Sequence, residues 1–280
     1  MSPSTHPVRL QRRTLLRAAG FAAATCALPG SWAQATPSAR LLINEAVTAD
    51  LSISMLATRY RPWADYLAPH LKARQVTVDA VVDIRRFVQQ ALADDKPLIV
   101  FGKSVNQLSK LVRDHGWQPL VSRADPYRSA FIVPKDSAIL EFQQLAGRKL
   151  LMPDEASATT AVAKAELRRL GVREPFISHT RFQDSVATAV ASGMAEAGVV
   201  NPTIARKWRE AGGRVLGETQ PVVNWSVLAS PAAPPDVTAR LTESLMAMNA
   251  QPTMLSEIGV RQWQKAERKE YLALLDYTGE

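Results

Sequence analysis

Apolar and polar positions along this chain alternate between two periods. ARLLINEAV (39–47) is a near-continuous apolar run that predicts a buried strand, and QVTVDAVV (75–82) alternates as a strand does. Between them, TRYRPWADYLAPHL (58–71) places Tyr60, Trp63, Leu67 and Leu71 at helical spacing, with Pro62 read as a first-turn proline and Pro69 as a stop or bend. IRRFVQQALADD (84–95) predicts a helix, PLIVFG (97–102) a central parallel strand, and NQLSKLVRDHG a helix closing on Gly116. WQPLVSR and YRSAFIVPKD then supply two strands.

A second β–α series follows. It comprises a short helix ending at Gly147, a strand RKLLMP (148–153), a helix to about Leu170, and a strand FISHTRF (176–182). Next come the helix DSVATAVASG (184–193) with Asp184 as its cap, a strand AEAGVVNP (195–202), a helix TIARKWREAGG, and a short element at Arg214–Leu216 that ends the series. VVNWSVLAS (222–230) is one more strand, DVTARLTESLMAMNA a helix, and the three terminal segments are helical or irregular. Regular alternation of β and α elements argues for α/β lobes with parallel sheets.

The first 35 residues stand outside this pattern. Arg9, Arg12, Arg13 and Arg17 precede the apolar stretch AAGFAAATCALPG, and Ala33-Gln34-Ala35 is a small-x-small cleavage pattern. This is a secretory signal peptide, too short in its apolar part to span a bilayer. Arg12-Arg13-Thr14-Leu15-Leu16-Arg17 resembles a twin-arginine signal, and the general secretory route stays open. Cys26 is the only cysteine. It lacks the large aliphatic residue that usually begins a lipidation site, and it leaves with the leader, which excludes disulfides and thiol catalysis from the mature chain. The full chain carries +8, but without the leader there are 30 basic residues against 26 acidic ones, so +4. That balance is mild, its basic residues are scattered, and nothing reads as a nucleic-acid arm.

One segment asks for chemistry. PDEASATTAV (153–162) places Ser157, Thr159 and Thr160 at the start of a predicted helix. A helix start offers unpaired N–H groups and a positive dipole end, and one hydroxyl suffices to cap it. The surplus is either filler or a set of donors for an anion. Elsewhere the familiar catalytic signatures are missing. His6, His70, His115 and His179 lack metal-ligand spacing, Asp154-Glu155 reads as a helix-start charge, and there is no nucleophile elbow, Walker loop or dinucleotide fingerprint. A hydrolase therefore has no support, and the reading is a non-enzyme without cofactor or metal. Trp63, Trp117, Trp208, Trp225 and Trp263 are dispersed like core and hinge anchors.

RYRPWADYLAPHL followed by a strand, PYRSAFIVPKDSAI followed by LAGRKLLMPDEASATT, VATAVASGMAEAGVVNP and NWSVLASP together resemble the phosphate, phosphite and phosphonate substrate-binding proteins of ABC importers, from about Ala39 to Tyr271. The resemblance implies a two-lobed type II periplasmic-binding-protein fold, each lobe a mostly parallel sheet flanked by helices, with a ligand cleft between. Lobe 1 would be 39–122 plus 224–280 and lobe 2 123–223, with crossovers near 122–128 and 220–225. It further implies a periplasmic, monomeric protein that delivers a small anionic ligand to an inner-membrane permease. A ligand-sensing protein of the same fold, serving a membrane receptor, is the alternative. Carried over, Ser157, Thr159, Thr160 and the amide of Ala158 grip the oxyanion. Asn201 stands where aminophosphonate binders have an acid. Lys103 is a ligand contact or a loop lysine, Arg85 and Arg86 a contact or a solvated helix face, and Trp225 a cleft wall. Tyr127 and Arg128 read as hinge residues.

Overall fold

A computed structural model describes residues 38–45, 52–93 and 99–280. The leader, the end of the first predicted strand, and the junction between the 84–95 helix and the 97–102 strand lie outside the described residues.

Two α/β sheets organise the chain. The first collects β1 (Ser38–Asn44), β2 (Gln75–Val81), β3 (Ile99–Gly102), β4 (Gln118–Arg123), β10 (Ser226–Ala229) and β11 (Trp263–Lys265), in the order β11-β4-β10-β3-β1-β2. The second collects β5 (Ala130–Val133), β6 (Lys149–Met152), β7 (Phe176–His179), β8 (Ala197–Val200) and β9 (Arg214–Glu218), in the order β7-β6-β8-β5-β9. Strands joined through helices run parallel: β1 lies between β2 and β3, and β6 between β7 and β8. Strands that carry the chain between sheets, or back from one, pair antiparallel. Each sheet thus contains one point where the strand order reverses, between β1 and β3 and between β6 and β8. Helix starts converge outside the strand carboxyl ends at such points, leaving a crevice for a ligand.

The helices form where apolar spacing meets a cap. In α1 (Ile53–Leu67), Ser52 accepts from the Met55 amide at 3.2 Å, and Leu56, Tyr60, Trp63 and Leu67 bury one stripe. Its start at Ile53 puts Pro62 in the helix interior rather than the first turn. Pro62 is exposed there, so water can satisfy the carbonyl that the missing N–H leaves open. Pro69 opens a separate 3-10 turn, as a helix-stopping proline should. Helix α2 (Ile84–Ala91) is capped by Asp83, and α3 (Val105–Asp114) begins at Ser104.

Helix α4 (Ala158–Arg169) buries residues around nearly its whole circumference. Ala163 and Leu167 face the second sheet with Phe131 and Leu150. Ala158 and Val162 join the first sheet's core with Leu108 and Tyr271. An alanine-rich helix suits a slot between two cores, because small side chains let both approach. Helix α5 (Gln183–Ala191) also lies close to its sheet: a Cβ on Gly198 of β8 would come within 2.5 Å of Val186.

Three sequence expectations are corrected. Asp184 sits in the first turn of α5, with Phe182 at the cap position. The terminal segments include a strand, β11, which pairs with β4, besides α8 (Pro252–Glu257) and α9 (Arg268–Thr278). Asn201 is both the residue after β8 and the cap of α6 (Pro202–Glu210), accepting from the Ile204 amide at 3.0 Å. Helix α7 is Pro235–Ala247. The chain crosses between sheets on two adjacent segments, bonded where Tyr127 and Val222 exchange N–H···O contacts of 2.9 Å.

Candidate functional site

A cleft of about 530 Å³ opens at the carboxyl ends of the central strands. From the second sheet it is lined by the start of α4, by Gln183 and Asp184 of α5, and by Asn201 and Lys207 at α6. From the first it is lined by Glu45 after β1, Arg59 of α1, Lys103 after β3, Arg123 of β4, and Trp225.

The α4 start explains itself residue by residue. Ser157 spends its oxygen on the Thr160 amide at 3.2 Å, and its own amide on Asp154 O at 3.0 Å. Its hydroxyl proton has no acceptor among the described residues. The amides of Ala158 and Thr159 are the first two of the helix, so no intrahelical carbonyl can receive them, and among the described residues neither has another acceptor. Two free N–H groups and the helix dipole therefore meet in the cleft wall.

Thr159 is held from behind. Gln183 Oε1 accepts the Asn201 amide at 2.7 Å, which turns its Nε2 toward Thr159 Oγ1 as a donor at 3.0 Å. The Tyr127 phenol stands 2.5 Å from the same oxygen. Burial pushes the Tyr127 pKa up, with its contacts to Ser129 and Thr159 opposing, so it is protonated at neutral pH. When Tyr127 donates, Thr159 has no acceptor capacity to spare, and its own proton is left for a ligand.

The opposite wall is ionic. Glu45 is 2% exposed and receives Tyr60 Oη, Lys103 Nζ at 2.5 Å and, more loosely, Arg59 Nη1 at 3.7 Å. Burial pulls the Lys103 pKa below its ordinary value, and Glu45 partly restores it. Burial also pushes the Tyr60 hydroxyl well up, with the Glu45 charge adding to it. Lys103 Nζ lies 4.1 Å from the Trp225 ring centre and the Arg123 guanidinium carbon 4.5 Å, so both cations attend one indole. Asn224 fixes this corner by accepting the Trp225 amide and donating to Asp125 O, both at 2.8 Å.

Of the residues singled out in the sequence, the cleft gathers Ser157, Ala158, Thr159, Lys103, Asn201 and Trp225. Thr160 is elsewhere: it is fully buried, and its hydroxyl donates to Pro153 O at 3.1 Å. Three residues past the Ser157 cap, the first turn of α4 has already rotated that side chain under the helix. Arg85 stands on the exposed face of α2 and does not line the cleft. Glu45, Arg59, Arg123 and Gln183 were not singled out. Glu45 did carry a signal, a charge directly after an apolar strand, where α/β sheets place ligand groups. Among the described residues no group of three His, Cys, Asp or Glu side chains is arranged to hold a metal ion.

Comparison with known proteins places this architecture. Comparison with curated protein sequences gives no match. Among solved structures, a Xanthomonas citri protein bound to ATP is similar at 17% identity with a TM-score of 0.71, covering 86% of this chain and 97% of its own. PhnD1 from Prochlorococcus marinus in complex with methylphosphonate is similar at 15% identity and TM-score 0.69, covering 86% and 96%. A binding-protein component of an ABC phosphonate transporter from Pseudomonas aeruginosa gives 14% and 0.67, covering 86% and 85%. At such identities these likenesses speak to the two-lobed fold alone. The family model described as ABC transporter, phosphonate, periplasmic substrate-binding protein matches residues 46–271, and the chain belongs to that family.

Proposed function

We propose that the cleft captures a small phosphonate-, phosphite- or phosphate-like oxyanion and hands it to the permease of an ABC importer. The observation that carries this reading is the α4 start, where two amides without an acceptor among the described residues and the Ser157 and Thr159 hydroxyls face one cleft. Such a cluster supplies neutral donors at a positive helix end, the recurring chemistry of oxyanion sites. Asn201 Nδ2, with no acceptor among the described residues, adds a fifth donor at the edge.

In this reading residues 39–122 with 224–280 and residues 123–223 form two lobes. They close about the crossovers near 122–128 and 220–225, a hinge mode of capture. The mature protein starts after Ala35, works in the periplasm as a monomer, and performs no catalysis.

Titration calorimetry on ligand-stripped mature protein tests it, with methylphosphonate, phosphite, phosphate and sulfate. At least one of the phosphorus oxyanions binds. The Ser157→Ala/Thr159→Ala variant binds it at least about tenfold more weakly, since hydrogen bonds to charged groups contribute about 1.5–3 kcal/mol each. No heat with any of the four would overturn the reading.

A further inference from the structure

The wall facing α4 holds more positive charge than one oxyanion at the helix start can use. Arg59, Lys103 and Arg123 stand there against two carboxylates, Glu45 and Asp125. The Lys103 and Arg123 side chains are only 13% and 15% exposed, so they are part of the wall and not solvent-facing decoration.

Their donors are incompletely used. An ammonium has three protons, and among the described residues Lys103 commits one, to Glu45. Arg123 commits Nε at 3.0 Å and Nη2 at 2.6 Å to Asp125, leaving Nη1 without an acceptor among the described residues. Arg59 gives Nε to the Glu257 carbonyl, and its Nη2 has no acceptor among the described residues. A Cβ on Gly259 would lie 3.1 Å from Trp225 and 3.9 Å from Arg59 Nη2. Arg59 therefore belongs to the same corner as the indole that Lys103 and Arg123 flank. The carboxylates, by contrast, are committed: Glu45 to Tyr60 and Lys103, Asp125 to both arms of Arg123. The cleft volume, about 530 Å³, is in the range that takes multi-group ligands rather than a single tetrahedral ion.

We infer that this corner is a second acid-binding subsite, so that the preferred ligand is a phosphonate whose organic substituent carries a carboxylate or a second phosphorus acid. The inference rests on the proposed function, with the first acid group at the α4 start. An ammonium-bearing phosphonate is disfavoured, because its cation would meet three cations whose counter-charges are taken. The cleft's unpaired acid among the described residues, Asp184, is exposed and on the other wall.

The test compares three ligands on ligand-stripped mature protein by titration calorimetry: methylphosphonate, phosphonoacetate and 2-aminoethylphosphonate. Phosphonoacetate is expected to bind at least about tenfold tighter than methylphosphonate, the effect of one added charge-assisted contact. 2-Aminoethylphosphonate is expected to be the weakest. In Arg123→Gln the phosphonoacetate-to-methylphosphonate affinity ratio falls to within about threefold, and Arg123→Lys keeps most of it. The ratio cancels any loss common to both ligands, and the wild-type comparison stands even if a variant fails to fold. Equal or tighter binding of methylphosphonate, or tightest binding of 2-aminoethylphosphonate, overturns the inference and leaves the proposed function intact. A ratio unmoved in Arg123→Gln also overturns the assignment to this corner. Silence from all three ligands overturns the inference, and the proposed function falls with it only when phosphite and phosphate are silent too.

Discussion

Replacing Thr159 with Val keeps the side-chain shape and deletes one hydroxyl. Among the described residues that oxygen is the sole partner of Gln183 Nε2 and the nearest partner of the Tyr127 phenol, at 3.0 and 2.5 Å. Gln183 is 6% exposed and Tyr127 7%, so water does not readily take over. An orphaned buried donor costs about 1–3 kcal/mol. The Ser129 hydroxyl, which donates to the Tyr127 oxygen at 3.4 Å, can turn its proton to Thr159 O at 3.3 Å and accept the phenol instead, a long bond that places the Tyr127 share at the low end. Together the loss comes to about 2–4 kcal/mol of stability without ligand, or roughly 4–16 °C in Tm for a chain of this size. Thr159→Ser restores the hydroxyl and should recover most of it. Thermal melts of the two variants, with and without saturating phosphonate, separate the roles. Thr159→Val should lose apo stability and also gain less from ligand than wild type does. A Val variant as stable as wild type would refute the claim that Thr159 is the shared acceptor of Tyr127 and Gln183.

Two further predictions concern charge. Glu45→Gln leaves Lys103 buried without its counter-ion, and breaking such a pair costs about 3–5 kcal/mol, measurable by urea unfolding. Burial already lowers the Lys103 pKa, so the folded variant binds fewer protons than the unfolded chain, and its stability should rise as pH rises toward the ordinary lysine value of 10.5. A flat alkaline profile would contradict this. Glu166 of α4 receives Arg169 Nη2 at 2.6 Å and the Tyr277 phenol of α9 at 2.5 Å. Burial alone pushes its pKa up, but these bonds and the Gln220 amide outweigh it and hold it below the ordinary 4.5. The stability it contributes is therefore present above pH 4.5 and lost as pH falls through the lowered value. Glu166→Gln should be less stable than wild type at pH 7, with the gap narrowing in acid; equal acid sensitivity would count against the α4–α9 link.

The sequence made the frame legible because its signals are local. Apolar runs such as VDAVV and LIVF end in punctuation, and the Ser157 hydroxyl caps the helix it precedes. Asn201 and Lys103 follow strands directly, so their place at a carboxyl end was readable once the strands were. What escaped depends on contacts between distant segments. Arg59 lies in a helix whose other face is core, and nothing near it in sequence says that Gly259 and Trp225 come alongside. Gln183 matters through Asn201 and Thr159, 18 and 24 positions away. Thr160 misled because hydroxyls adjacent in sequence point to different sides of a helix start, one to the cleft and one to Pro153 O. Pro62 misled because the true cap, Ser52, lies before the stretch whose periodicity was clear.

The central claim is that hydroxyls and free amides at the mouth of α4 hold the ligand's acid group. A crystal structure of the stripped protein soaked with methylphosphonate addresses it directly. The account predicts phosphonate oxygens about 2.7–2.9 Å from the Ala158 and Thr159 amide nitrogens, with Ser157 Oγ and Thr159 Oγ1 donating. Phosphonate seated elsewhere in the cleft, with those two amides bound only to water, would contradict it.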